Sequence, residues 1–90
     1  MFAEHYFRDV PQIGNVAVSR HAQERAEGDG ITLEDFKTTL FKGRTIPQGG
    51  SIEIRELNGI QIVIERKPTP FRGAALATTC YRMTQQAKVR

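Results

Sequence analysis

A histidine and an arginine are the residues of this chain best suited by type and spacing to chemistry. His21 and Arg25 are four residues apart in the run 19–27, which is rich in alanine, glutamine, glutamate and arginine. These residue types favour a helix, and Ser19 is a suitable N-cap. A spacing of four places both side chains on one helix face. The pattern therefore predicts a titratable imidazole beside a fixed positive charge on a rigid element.

The composition describes one small folded domain. The chain has 90 residues, of which 39% are hydrophobic and 26% charged, and these values favour a single globular domain over a disordered chain. The formal net charge of +3 permits nucleic acid or an acidic partner but requires neither. The one cysteine, Cys80, excludes an internal disulfide and a cysteine-rich zinc site. We therefore expect no bound metal and no cofactor.

Targeting signals are not evident in the sequence. Residues 1–8 lack a basic segment followed by an apolar run, so no signal peptide is predicted. No apolar stretch approaches the ~20 residues that a membrane-spanning helix needs. We expect a cytoplasmic protein with no membrane contact.

A second helix follows the first. Residues 32–42 begin with a threonine N-cap and end before Gly43, a typical helix stop. Leu33, Phe36 and Leu40 recur at spacings of three and four. This apolar stripe is predicted to lie in the core.

Beyond the second helix the pattern changes to that of strands. Residues 51–56 and 60–66 alternate apolar and polar types around Asn58-Gly59, which is the sequence of a tight hairpin turn. Residues 74–81 are predicted to form a third strand. The alternation is expected to bury the isoleucines of both hairpin strands on one face and to leave the other face polar and open; these isoleucines are Ile52, Ile54, Ile60, Ile62 and Ile64.

These elements predict an α+β fold, with two N-terminal helices packed on one face of a three- to four-stranded antiparallel sheet. Residues 16–82 are expected to form a single domain, and residues 83–90 a basic tail. Residues 1–15 are interpreted as an N-terminal aromatic arm. Its aromatic rings either pack on the core or bind a partner or a second copy of the chain.

Several motifs together resemble a known family. The run Ser-Arg-His-Ala-x-x-Arg, the Gly-Ile-Thr before the second helix, the hairpin and the final Thr-Thr-Cys-Tyr-Arg resemble a family of small prokaryotic and phage domains. That family is similar to RelE- and BrnT-type toxins, in the barnase–EndoU–colicin–RelE group of metal-independent ribonuclease folds. The resemblance covers about residues 16–82 and implies a RelE-like domain. Carried over by position, its pattern marks His21, Arg25, Thr79 and Tyr81.

The sequence departs from the family pattern at two places. Cys80 stands where a valine is usual, which is a packing change. Gly28-Asp29 precedes Gly30-Ile31, where arginine commonly precedes the Gly-Ile pair. This second departure removes a positive charge from a place where phosphate could be held, and it counts against a nuclease.

The resemblance implies toxin-like RNA cleavage without a metal. In that reaction the 2′-hydroxyl attacks phosphorus, His21 transfers a proton, and Arg25 holds the phosphate. Tyr81 would stack on a base or donate a proton, and Thr79 belongs to the same pattern. The RNA backbone would be bound by four further cations, which are Arg66, Lys67, Arg72 and Arg82.

A non-catalytic role competes with this hypothesis at each position. His21 could equally make a structural hydrogen bond, and Arg25 could form a surface ion pair. Tyr81 could be an aromatic residue of the core, and the strand propensity of Thr79 is enough to explain its position. Two functions therefore stay open, besides a structural subunit of a toxin–antitoxin pair. The first is a toxin-like ribonuclease whose partners are RNA or the ribosome and an antitoxin. The second is a phage or mobile-element binding module that inhibits a host protein through its sheet face or aromatic arm. A homodimer is compatible with either function.

Overall fold

The computed structural model describes residues 2–67 and 73–83. Within these residues the chain forms two helices and six strands. In chain order the elements are β1 (Tyr6–Val10), β2 (Gly14–Val18), α1 (Arg20–Gly28), α2 (Leu33–Lys42), β3 (Arg44–Gly49), β4 (Ile52–Leu57), β5 (Ile60–Glu65) and β6 (Ala75–Arg82). Neither helix of this described part has the length and apolar content needed to cross a membrane.

The sheet differs from the predicted one. Its six strands lie in the order β1-β2-β6-β5-β4-β3, and β2 runs parallel to β6 while the other neighbours are antiparallel. The helices follow β1 and β2 rather than opening the fold. The expectation of two N-terminal helices on a three- to four-stranded antiparallel sheet is therefore wrong.

Two segments account for the extra strands. The segment assigned to the arm, together with the short valine-rich run after it, forms the β1–β2 hairpin. The other segment is β3, whose Pro47 and Gly49 are residue types more typical of a loop than of a strand. Proline is tolerated in a strand at the edge of a sheet, where no neighbour needs its missing N–H, and β3 is such an edge.

Both helices begin as the sequence predicts. The Ser19 hydroxyl accepts a hydrogen bond from the backbone N–H of Ala22 at 3.0 Å, and the Thr32 hydroxyl accepts one from Asp35 at 3.1 Å. Each cap satisfies a first-turn donor that has no partner inside the helix. The two N-cap predictions are confirmed.

The core lies between the sheet and the helix layer. Phe36 and Leu40 of α2 are fully buried against the sheet, as are Ile62 and Ile64 of β5. The ring of Phe2 meets that of Phe36 edge-on at 5.2 Å. The N-terminal aromatics on this side, Phe2 and Phe7, therefore pack on the core, as one interpretation of the arm predicted.

The register of the β4–β5 hairpin reverses the predicted faces of β4. Asn58 and Gly59 both have positive φ, 51° and 85°, which is typical of a two-residue type I′ turn. This turn places Arg55 opposite Ile62 and Ile54 opposite Val63. Residues directly opposite in a ladder share a face, so Ile54 points away from the helices. Ile54 is buried, at 8% exposure, and Ile52 is half-buried, but both lie on the face opposite the β5 isoleucines. The prediction that they share a face with those isoleucines is therefore wrong.

The reversal puts an ion pair under the helices. Arg55 is 1% exposed and Glu53 is 7% exposed. The Arg55 guanidinium donates to Glu53 at 3.3 Å, to the carbonyl of Leu40 at 2.9 Å and to the carbonyl of Pro11. Leu40 lies in the last turn of α2, where carbonyls have no partner within the helix. One side chain thus joins β4, α2 and the β1–β2 turn.

Candidate functional site

Helix α1 is fixed on β6 by small residues and by its N-cap. Ala22 and Ala26 are fully buried, and the Cys80 thiol of β6 donates to the Ala22 carbonyl at 3.3 Å. The Ser19 hydroxyl, besides capping the helix, donates to the carbonyl of Thr78 at 3.0 Å. Three residues of the Ser-x-His-Ala-x-x-Arg-Ala run therefore hold the helix against the strand.

His21 and Arg25 both lie on the exposed side of α1. The Arg25 guanidinium pairs with Asp29 at 3.6 Å, and the same Asp29 carboxylate oxygen accepts the backbone N–H of Arg82 at 3.1 Å. Arg25 thus belongs to an ion pair at the end of the helix. His21 makes no hydrogen bond or ion pair with any residue that the structure describes.

Thr79 and Tyr81 lie on the opposite side of the sheet. They flank Cys80, which faces α1, and neighbouring strand residues point to opposite faces. The Tyr81 hydroxyl donates to the Gln61 side chain at 2.6 Å across the β5–β6 pair. The sheet therefore separates His21 and Arg25 from Thr79 and Tyr81, and the four residues do not meet in one centre.

The predicted RNA-binding cations are largely engaged by the protein itself. Arg66 lies 3.6 Å from the Glu53 carboxylate. Arg82 donates to the backbone carbonyls of Asp29 and Gly30, and its guanidinium is 3.9 Å from Asp35. Lys67 is exposed. The fourth predicted cation, Arg72, lies outside the described residues.

The positive charge of the chain exceeds its negative charge only slightly. The chain has thirteen Lys and Arg residues and ten Asp and Glu residues, for a formal net charge of +3. Three of these cations, Arg72, Lys88 and Arg90, lie outside the described residues. An excess of this size permits a nucleic-acid partner but does not require one.

The open face, defined as the sheet face opposite the helices, is more apolar than predicted. Two of its three rows of side chains are mainly apolar. The isoleucine row runs from β3 to β6 through Ile46, Ile54, Val63 and Thr79. The leucine row runs from β4 to β1 through Ile52, Glu65, Leu76, Ala17 and Tyr6.

The third row of the open face, the polar row, is internally satisfied. It consists of Arg44, Glu56, Gln61 and Tyr81. Arg44 donates to Glu56 at 2.9 Å, and this hydrogen bond is the main cause that lowers the pKa of the Glu56 carboxyl. Together with the bond between Tyr81 and Gln61, it leaves no polar-row side chain without a partner.

Sequence reasoning missed these apolar rows, although the signal was present. A two-residue turn at Asn58-Gly59 fixes the pairing of every residue along the hairpin. Counting back from the turn places Ile54 beside Val63 and not beside the buried isoleucines. The alternation within each strand does not by itself fix which residues of the two strands lie opposite each other.

The part of the chain that the structure describes shows no catalytic group of another kind. Cys80 is buried, and this burial, with the nearby Asp29 carboxylate, raises the pKa of its thiol to about 11. A thiol with such a pKa is protonated near neutral pH and is a poor nucleophile. Within residues 2–67 and 73–83 no group of three or more His, Cys, Asp and Glu side chains is arranged to hold a metal ion.

Comparison with known proteins adds no relative to this picture. No family model, curated protein or solved structure matches the chain. The resemblance to RelE-type domains therefore depends on the motif residues alone. Of these residues, Ser19, Ala22 and Arg25 make structural contacts in this fold. His21 differs from them because it makes no hydrogen bond or ion pair with a described residue.

Proposed function

We propose that the chain is a non-catalytic binding module that acts in the cytoplasm and engages a partner protein through the open face of its sheet. The observation that carries this proposal is the pair of apolar rows on a face that no described helix covers. Most side chains of these rows are half-buried, and Ile54 is 8% exposed. Apolar patches on a protein surface are typical of interaction sites. Tyr6, at one end of the leucine row, is 44% exposed, and tyrosine is enriched among the residues that dominate binding energy.

The chemistry of the open face limits the kind of partner. Its charged side chains already have partners within the chain, since Arg44 pairs with Glu56 and the Glu65 carboxylate accepts from Ser51 and from the Lys67 backbone. A strongly charged partner would have to compete with these contacts. The face therefore suits a protein surface with an apolar, uncharged centre, such as the host-protein surface that the binding-module hypothesis requires.

The edge of the sheet is a less suitable surface than its face. β3 is the outer strand on one side, and Pro47 in its middle has no N–H to donate to an added strand. β1, on the other side, is interrupted between Phe7 and Val10 by a register shift. Both features disfavour strand addition and leave the face as the surface available for docking.

A charge placed in the isoleucine row tests this proposal. Lysates of a bacterial host are passed over the immobilised chain, and a captured protein is identified, purified and measured by calorimetry. Val63→Lys is expected to weaken its binding at least 30-fold, corresponding to about 2 kcal/mol for a hot-spot position. The matched control, Thr38→Lys, places the same charge on the exposed side of α2 and is expected to leave affinity within twofold. Equal loss in both variants, or in neither, would contradict the proposal.

The second candidate function is a toxin-like, metal-independent endoribonuclease. It is favoured by one observation, the exposed and unpartnered His21 one turn from Arg25. In this hypothesis His21 transfers the proton of the 2′-hydroxyl and Arg25 contacts the phosphate, while RNA or the ribosome is the substrate. The purified chain is expected to leave transfer and messenger RNA intact under our proposal. RNA cleavage that is lost in His21→Ala would replace the binding module with the nuclease.

A further inference from the structure

We propose that Asn58 is a site of spontaneous covalent modification, in which it loses its side-chain amide, and that the Glu56 carboxylate restrains this reaction in the folded protein. The inference concerns the turn of the β4–β5 hairpin and needs no partner, so it does not depend on the proposed function. Two properties of the turn carry it: the residue pair that forms the turn and the hydrogen bond that closes it.

The turn contains both reacting groups. Asn58 is exposed, and asparagine is among the thermolabile residues of proteins. The next residue, Gly59, has no side chain that could shield its backbone nitrogen. A bond between this nitrogen and the Cγ atom of Asn58 closes a five-membered ring, which is a ring of low strain. The pair can therefore react without any further group.

The reaction has two steps, and both are balanced. In the first, the Gly59 nitrogen loses its proton and bonds to Cγ of Asn58, while the bond from Cγ to Nδ2 breaks and ammonia leaves with that proton. In the second, water adds to one of the two ring carbonyl carbons and breaks its bond to the ring nitrogen. Opening at Cγ gives aspartate, whereas opening at the backbone carbon gives isoaspartate, in which the main chain runs through the side chain. Neither step needs an oxidant, a reductant or a cofactor.

The Glu56 carboxylate opposes the first step. Its Oε2 atom accepts the Gly59 N–H at 3.3 Å, and its Oε1 atom accepts from Arg44 at 2.9 Å. The bond to Arg44 is the main cause that lowers the pKa of this carboxyl, so the carboxylate is charged near neutral pH. A negative charge beside an N–H group disfavours the loss of its proton. The hydrogen bond must therefore break before the nitrogen can attack the side chain.

The two products differ in their effect on the hairpin. Aspartate is compatible with the same type I′ turn, because Asp-Gly is favoured there as Asn-Gly is. Isoaspartate adds one carbon atom to the main chain of a turn that has only two central residues. That turn sets the register that places Arg55 under the helices. The isoaspartate product is therefore expected to weaken the pairing of β4 with β5.

Peptide mass spectrometry after incubation in water enriched in the heavy oxygen isotope tests the site. Trypsin, added later in ordinary water, cleaves after Arg55 and Arg66, so one peptide holds residues 56–66. Incubation near neutral pH is expected to place one heavy oxygen atom at position 58, more slowly in the folded chain than in the chain unfolded by guanidinium chloride. Fragment ions separate position 58 from Gln61. An unfolded chain with no label at position 58, or a folded chain labelled as fast as the unfolded one, would overturn the inference.

Glu56→Ala tests the restraint by the carboxylate. The folded variant is expected to be modified about tenfold faster than the wild type, which is the size of effect expected from losing one hydrogen bond to a charged group. The matched control, Glu65→Ala, removes a carboxylate at the other end of β5 that also accepts a backbone N–H, that of Lys67 at 3.1 Å. This control is expected to react at the wild-type rate, and circular dichroism establishes that both variants are folded. No acceleration in Glu56→Ala, or equal acceleration in both variants, would overturn the role of Glu56.

The stability of the separated products tests the consequence for the hairpin. Chromatography separates the isoaspartyl chain from the aspartyl chain. The isoaspartyl chain is expected to unfold at a lower urea concentration than the wild type, whereas Asn58→Asp, which carries the other product directly, is expected to unfold close to it. An isoaspartyl chain as stable as Asn58→Asp would overturn the link between the modification and the register.

Discussion

Replacing Arg55 with alanine is expected to lower the free energy of unfolding by about 3–5 kcal/mol, the usual cost of breaking a buried ion pair by removing one partner. The guanidinium is the shared donor for the Glu53 carboxylate and for the carbonyls of Leu40 and Pro11. Its removal leaves the buried carbonyl of Leu40 and the partly buried carbonyl of Pro11 without this donor. The buried Glu53 carboxylate then keeps only the exposed Arg66 as a cationic partner. Urea unfolding followed by circular dichroism measures the change.

Arg66→Ala is the matched control for that substitution. Arg66 also pairs with Glu53, at 3.6 Å, but its side chain is 47% exposed. Exposed ion pairs contribute about 0–1 kcal/mol because water solvates both charges well. If the two alanine variants lose equal stability, Arg55 does not join the three elements in the way described.

Gly43→Ala is expected to destabilise the protein by about 2–3 kcal/mol, in the range found for overpacked positions. Gly43 ends α2 where the helix meets β4. A Cβ atom built there would lie 2.9 Å from the carbonyl oxygen of Glu56 and closer still to that of Thr39. Both neighbours are backbone atoms, which cannot move without shifting the helix or the strand. Thermal and urea unfolding measure the loss.

Gly28→Ala, at the end of α1, is expected to have the opposite effect on stability. A Cβ atom at Gly28 meets nothing within 4 Å. Alanine restricts the unfolded chain more than glycine and has the higher helix propensity, so this variant is expected to be about 0.5–1 kcal/mol more stable. Destabilisation of both variants by similar amounts would mean that the close approach at Gly43 is not the cause.

Local signals in the sequence predicted the helices well. Ser19, Thr32 and Gly43 mark helix ends through interactions with residues a few positions away, and such short-range effects can be inferred from the chain alone. The apolar stripe of α2 was likewise readable, since Phe36 and Leu40 are both fully buried. These predictions required no knowledge of the sheet.

Long-range pairing was not predicted in the same way. That β2 lies parallel to β6 depends on contacts between residues about sixty positions apart, such as Val16 and Ala75. The burial of Arg55 depends on carbonyls from α2 and from the β1–β2 turn, which no local pattern reveals. For this reason a charged residue that alternation assigned to solvent became the most buried large side chain of β4.

The candidate catalytic site shows the same limit. A spacing of four correctly placed His21 and Arg25 on the exposed side of one helix. The position of that helix relative to Thr79 and Tyr81 depends on which face of β6 it covers, and Cys80 and Ala22 determine this. Motif spacing alone could not tell that the two pairs would lie on opposite sides of the sheet.

Methyl NMR of the isoleucines tests most directly the claim that the open face is the binding surface. β4 and β5 form one hairpin, but Ile52 and Ile54 point to the open face whereas the β5 isoleucines, at positions 60, 62 and 64, point to the helices. When purified partner is added, we predict that the signals of Ile52 and Ile54 shift while those of the β5 isoleucines stay in place. Shifts confined to the helix-side isoleucines, or to the imidazole of His21, would contradict the claim.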